Sequence, residues 1–165
     1  MSTREIARGG LLAAAATAWL YFGGVMPQIG PAACLMAGIA SAIPLLRRAN
    51  VKTAVLLYLV TSVLGLLLTP DKGIAALYLA FFGLYPVVKA RLESMDRRWA
   101  EWALKLVYFN GVLTGFVALF QQLIFPVLPN WMTGLPVLYG LGNLAFVLYD
   151  VGLSRLIALL LRRLP

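Results

Sequence analysis

The sequence predicts an all-α, polytopic membrane bundle of about six transmembrane helices, with both the N-terminus and the C-terminus cytoplasmic. Three observations lead there. Of the 165 residues, 62% are apolar and 12% charged, and the mean hydropathy is +0.88. A water-soluble chain is about half apolar and about a quarter charged, so the excess must face lipid. The apolar residues also fall into runs close to the roughly 20 residues that a helix needs to cross hydrocarbon. Finally, all of the 14 lysines and arginines except Lys72 fall on one side if successive runs alternate in direction. That asymmetry marks the cytoplasmic face.

Taken in order, the expected spans are residues 9–26, 31–46, 51–69, 73–90, 104–127 and 136–161, all within one transmembrane domain, 1–165. The first opens after Arg4 and Arg8. Its small-residue run resembles a secretion signal, but Trp19, Tyr21 and Phe22 stand where a cleavage site needs small residues. The second is short, with Pro44 near its end. Pro27, Gly30 and Pro31 separate the first pair, and Thr69, Pro70, Asp71, Lys72 and Gly73 make a compact polar turn before the fourth. Pro126, Pro129, Asn130, Gly134 and Pro136 mark the last loop. In the cytoplasmic segment 90–103, Leu92, Met95, Trp99 and Trp102 recur at helical spacing among charges. This pattern predicts an amphipathic connector helix at the inner interface, serving as an anchor or as a docking surface for a partner.

Several function classes are excluded by what is missing. There is no histidine and a single cysteine, Cys34, so neither an internal disulfide nor the usual zinc ligand set can form. Without histidine there is no relay to activate a serine or cysteine. Asp150 is the only acid well inside an expected span, whereas an intramembrane aspartyl protease needs two. No enzyme activity, cofactor or metal is therefore expected. The net charge of +8 is spread between apolar runs instead of forming one solvated face, which argues against nucleic acid.

The informative residues are the polar ones inside the spans, because each costs free energy in hydrocarbon and calls for a partner. Asn110, Thr114 and Gln121 share a face of the fifth span, and Tyr139, Asn143, Asp150 and Ser154 a face of the sixth. In the fourth, Tyr78, Tyr85 and Lys89 do the same, with Pro86 expected to disturb its last turn. From the antiparallel order of the helices, Tyr85, Lys89, Asn110 and Asp150 are expected to form an intramembrane polar cluster in the inner third. Such a cluster either fixes helix register, which is common among membrane helices, or serves a solute. In the outer half, Gln121, Gln122, Tyr139 and Asn143, with Trp131 in the covering loop, suit a pocket for a small, partly apolar organic ligand. These same residues also suit interfacial anchoring. Gly10, Ala14 and Ala18 lie four residues apart on the first span, as do Ala33, Ala37 and Ser41 on the second; small residues at this spacing let helices approach closely.

Six short helices, an alanine-rich first helix and an outer polar pocket resemble the S component, the substrate-binding membrane subunit of energy-coupling factor (ECF) transporters. The stretches Phe81-Phe82-Gly83-Leu84-Tyr85-Pro86-Val87-Val88-Lys89, Glu101-Trp102 through Asn110, and Gly142-Asn143 through Tyr149-Asp150 also resemble a group of small bacterial membrane proteins. The resemblance implies a multi-pass protein of the inner (plasma) membrane that captures a micronutrient from outside. Uptake would follow docking on a transmembrane coupling protein driven by cytoplasmic ATPases. It also implies that Ala14 and Ala18 contact that coupling protein and that the ligand sits near Gln121 and Asn143. No vitamin-specific motif is recognisable. The alternatives are a helical partner or assembly factor for another membrane protein, and a small oligomeric channel or exporter.

Overall fold

The computed structural model describes residues 3–48, 50–124 and 134–163. Apart from short turns, the described residues are helical: α1 (Thr3–Val25), a 3-10 turn at Pro27–Ile29, α2 (Gly30–Arg48), α3 (Val51–Leu68), α4 (Lys72–Leu77), a π turn at Tyr78–Phe82, α5 (Tyr85–Leu92), α6 (Arg98–Ile124) and α7 (Leu135–Arg163). The chain forms two compact units, Met1–Ser94 and Met95–Pro165.

In the first unit, small residues bring helix backbones together. Along α1, Ala13, Ala16, Thr17 and Leu20 are buried at three- and four-residue spacing, and the Thr17 hydroxyl is spent on the Ala13 carbonyl at 2.8 Å. On α2, the Ala33, Ala37 and Ser41 stripe is fully inside. The two helices meet so closely that a Cβ on Gly23 would lie 2.6 Å from that of Ala33. Ala16, Leu20, Cys34, Ala37, Ala40, Ile74 and Tyr78 form one core cluster. Dispersion between close backbones does here what large side chains do in water-soluble cores. The α3 helix presents Thr53, Ala54, Leu57, Thr61 and Gly65 inward and is capped at its start by Asn50, whose Oδ1 accepts from the Thr53 N–H at 3.1 Å. A cap of this kind is worth about 0.5–2 kcal/mol. At its other end, Lys72 Nζ donates to the Leu66 and Thr69 carbonyls at 2.8 and 2.9 Å, while Asp71 Oδ1 accepts the Gly73 N–H at 2.7 Å and caps α4.

The fourth expected span is broken, and further upstream than the position of Pro86 suggests. Pro86 stands in the first turn of α5. Its ring excludes the carbonyl four residues back and it has no N–H to offer, so its effect is felt a turn earlier. Over Tyr78–Phe82 the backbone widens into a π turn closed by the Gly83 N–H on the Tyr78 carbonyl at 2.8 Å. Neighbouring helices satisfy carbonyls along this segment: the Tyr58 hydroxyl donates to Leu79 O at 2.9 Å and the Cys34 thiol to Ile74 O at 3.4 Å. Tyr78 itself is held by Ser41, hydroxyl to hydroxyl, at 3.0 Å. The irregular backbone is thus tied by hydrogen bonds to two neighbouring helices, α2 and α3.

In the second unit, α6 and α7 run antiparallel. The separate connector helix expected over 90–103 is not formed. Residues 93–96 are turn and bend, and residues from Arg98 onward are the beginning of α6. The reason lies in the sequence: Arg98 to Leu119 has no glycine or proline until Gly111, so nothing stops the helix at residue 104. The expected loop around Trp131 lies outside the described residues.

Among the described residues, four segments are long and apolar enough to cross a membrane: Val51–Leu68, Lys72–Leu92, Arg98–Leu119 and Leu135–Leu159. The apolar part of α2, Gly30–Leu45, is shorter. The α1 helix has 23 residues, but Arg4, Glu5 and Arg8 occupy its opening turns.

Candidate functional site

The polar residues of α6 and α7 meet rung by rung. Both helices carry their polar side chains on the face turned to the other, and antiparallel pairing puts residues whose numbers sum to nearly the same value opposite each other. On α7 the inward positions Tyr139, Asn143, Phe146, Asp150 and Leu153 alternate by four and three, the spacing of a helix–helix seam.

At one rung, Thr114 Oγ1 and the Tyr139 hydroxyl are 2.6 Å apart. Thr114 has one proton and gives it to the Asn110 carbonyl at 2.7 Å, so Tyr139 is the donor between the two hydroxyls. The next rung is a reciprocal amide pair. Asn110 Nδ2 donates to Asn143 Oδ1 at 2.9 Å and Asn143 Nδ2 to Asn110 Oδ1 at 3.0 Å. Each amide also gives its second proton to the carbonyl one turn back, Leu106 O and Tyr139 O, both at 2.8 Å. All four amide N–H groups are therefore spent within the hairpin. Beyond it, Phe109 and Phe146 stack with centroids 4.6 Å apart.

The third polar rung is ionic. Lys105 Nζ is 2.7 Å from Glu101 Oε1 on its own helix and 3.2 Å from Asp150 Oδ2 on α7. The Lys105 and Asp150 side chains are only 1% and 3% exposed, so neither charge is solvated. Trp102 adds its ring face 5.3 Å from the ammonium, and Ser154 donates to the Asp150 carbonyl at 3.0 Å. Charged groups at such depth persist only when paired.

The residues expected to form an inner cluster are distributed as follows. Tyr85 and Lys89 belong to the first unit, where both are buried one turn apart on α5 and Lys89 Nζ is 2.6 Å from Glu93 Oε1. Asn110 and Asp150 belong to the second, on separate rungs. Of the expected outer pocket, Tyr139 and Asn143 are bonded to Thr114 and Asn110. Gln121 and Gln122 lie in the last turns of α6, with side chains outside the described residues, as is all of Trp131. Ala14 and Ala18, with Gly10, sit on an exposed face of α1 that flanks the packed one. Lys105 and Glu101 were not singled out by their sequence. The signal was there: once Asn110 faces Asn143, antiparallel counting places Lys105, and not the lysine of another helix, beside Asp150.

Chemically, the amide rung is saturated and the ionic rung is compensated. Tyr139, whose proton is given away, presents a hydroxyl oxygen able to accept from a donor. No group of three histidine, cysteine or acidic side chains suited to a metal occurs among the described residues. Asn110→Leu should lower stability by about 0.6–2 kcal/mol, the range for interhelical polar bonds in membranes. The double variant Asn110→Leu with Asn143→Leu should be less destabilised than the sum of the single ones. Thermal melting in detergent reads both, and strict additivity would show that the amides do not depend on each other.

Compared with protein-family models, with curated proteins and with solved structures, the chain finds no match.

Proposed function

We propose that this protein is a non-catalytic, multi-pass subunit of a bacterial inner membrane, resembling an ECF S component, that takes up a small organic solute together with a partner membrane protein. The observation that carries the reading is the two-sided α1 helix. Ala13, Ala16, Thr17 and Leu20 are used in packing its own unit, while Gly10, Ala14 and Ala18 leave a flat small-residue face exposed. In hydrocarbon such a face gains most from another helix backbone, because lipid tails cannot pack into it as closely. The proposed topology is six crossings with both ends inside. Its support is the placement of every lysine and arginine except Lys72 on one side when successive apolar runs alternate in direction. The ligand would be a donor-bearing organic molecule near Tyr139 and the end of α6.

The test is to purify the tagged protein from native membranes and identify both the proteins and the small molecules that accompany it. The Ala14→Leu, Ala18→Leu variant should fold as the parent does, since both positions are exposed. It should nonetheless lose at least about tenfold of the co-recovered partner, equivalent to ~1.4 kcal/mol of association. Recovery of the parent alone and ligand-free would refute the proposal.

One observation favours a second reading, a helical partner or assembly factor with no solute of its own. The Asn110–Asn143 pair uses every amide proton internally, which is how a clamp is built and not how an open ligand site is built. A stable complex with a membrane protein, reproducibly lacking any small molecule, would favour it.

A further inference from the structure

At the end of the α6/α7 hairpin beyond the ionic rung, three arginines are left without carboxylates. Arg97, Arg98 and Arg155 are exposed, and antiparallel register from the Lys105–Asp150 pair puts Arg155 level with the first turn of α6. The nearby acids Glu101 and Asp150 are both engaged by Lys105, and none of the three arginines takes part in an ion pair among the described residues. Asp96 is the one exposed acid beside them in sequence. Next to the arginines, Trp99 is 73% exposed, and further along α6 so are Leu104 and Val107, at 42% and 68%. Moving along the helix, a surface of guanidinium groups gives way to an indole and then to aliphatic side chains.

That order matches the order of chemistry in a phospholipid: phosphodiester, interfacial glycerol, acyl chain. Guanidinium groups pair with phosphate oxygens through two parallel hydrogen bonds, and tryptophan favours the headgroup level of a bilayer. A soluble acidic protein or a free phosphate would use the arginines but gain nothing from the exposed indole and aliphatic strip below them. We propose that the Arg97, Arg98, Arg155 and Trp99 end of the hairpin binds the headgroups of anionic phospholipids, of the phosphatidylglycerol class. The proposal needs only that the chain resides in a membrane. It is independent of whether a solute or a coupling partner is bound.

The test uses the full chain in mild detergent, mixed with phosphatidylglycerol or with phosphatidylcholine, with retained lipids counted by native mass spectrometry. The parent should retain phosphatidylglycerol in preference. Each arginine near an anionic surface contributes about fivefold, so R98Q/R155Q should cut the preference roughly tenfold or more. R8Q/K52Q, which removes as much charge from exposed positions in the first unit, should leave most of it. No preference in the parent, an equal loss in both double variants, or displacement of the lipid by inorganic phosphate would each overturn the proposal. Should R98Q/R155Q melt lower than the parent in phosphatidylcholine, the parent itself gives the answer: its preference must fall as salt is raised, and a salt-independent preference would also overturn it. Failure here with intact solute or partner recovery leaves the functional proposal standing, and the reverse outcome leaves this one standing.

Discussion

Asp150→Leu is expected to be strongly damaging in the second unit, lowering stability by about 1–3 kcal/mol. It removes one of the two carboxylates that hold Lys105, whose side chain is 1% exposed and cannot turn to water instead. The loss should appear as a lower melting temperature in detergent and a smaller monodisperse fraction. Replacing the pair tells more than replacing one member. With Lys105→Met added, the buried ammonium is gone as well, and Glu101, which retains 15% side-chain exposure, can reach solvent. The double variant should therefore be more stable than Asp150→Leu alone. If the two substitutions instead add, Lys105 and Asp150 are not energetically coupled.

Gly38→Val is expected to have a comparable effect in the first unit, by a steric route. A Cβ at residue 38 would stand 2.5 Å from the carbonyl oxygen of Phe82 and 3.2 Å from its carbon. The obstacle is backbone at the end of the π turn, which cannot swing aside as the tip of a side chain can. Inserting atoms into a packed core costs about 1–3 kcal/mol, and a contact with backbone belongs at or above the upper end. Gly111→Val on α6 is the matched control, because nothing lies within 4 Å of a Cβ there. Its melting temperature should stay near that of the parent, within about 0.5 kcal/mol of stability. Equal tolerance of both substitutions would show that α2 and the π turn are not in close contact.

The helical, strongly apolar character of the chain was legible because it depends on sums over many residues, which local detail does not upset. The Val51–Leu68 helix is a clear case: a mostly apolar run bounded by Asn50, which caps it, and by Pro70. The Asn110–Asn143 rung was half legible. Helical spacing put each residue on a polar face of its own helix, but spacing alone does not reveal which face of another helix it meets. For that reason spacing assigns Asn143 to an outer pocket and Asn110 to an inner cluster, although the two bond to each other. Lys105 was hidden by its charge. Counting basic residues to orient the chain treats each lysine as solvated, and this one is buried between two carboxylates. The π turn was hidden for another reason. Pro86 announces a disturbance, but where the backbone yields depends on which neighbours can accept the loosened carbonyls, and Tyr58 and Cys34 come from elsewhere in the chain.

Lys72, which stands apart from the other basic residues in the charge pattern, meets carbonyl oxygens at the end of α3, and Asp71 meets an amide at the start of α4. Both ions at the tip of this helical pair thus serve as covers for the dipole ends of the backbone. A hairpin that travels through the bilayer tip first has to carry whatever stands on that tip. Here the opposite charges are adjacent in sequence and matched to exposed peptide groups of opposite polarity. The tip of the α3–α4 pair thus carries one positive and one negative side chain, each held by main-chain groups of the opposite polarity.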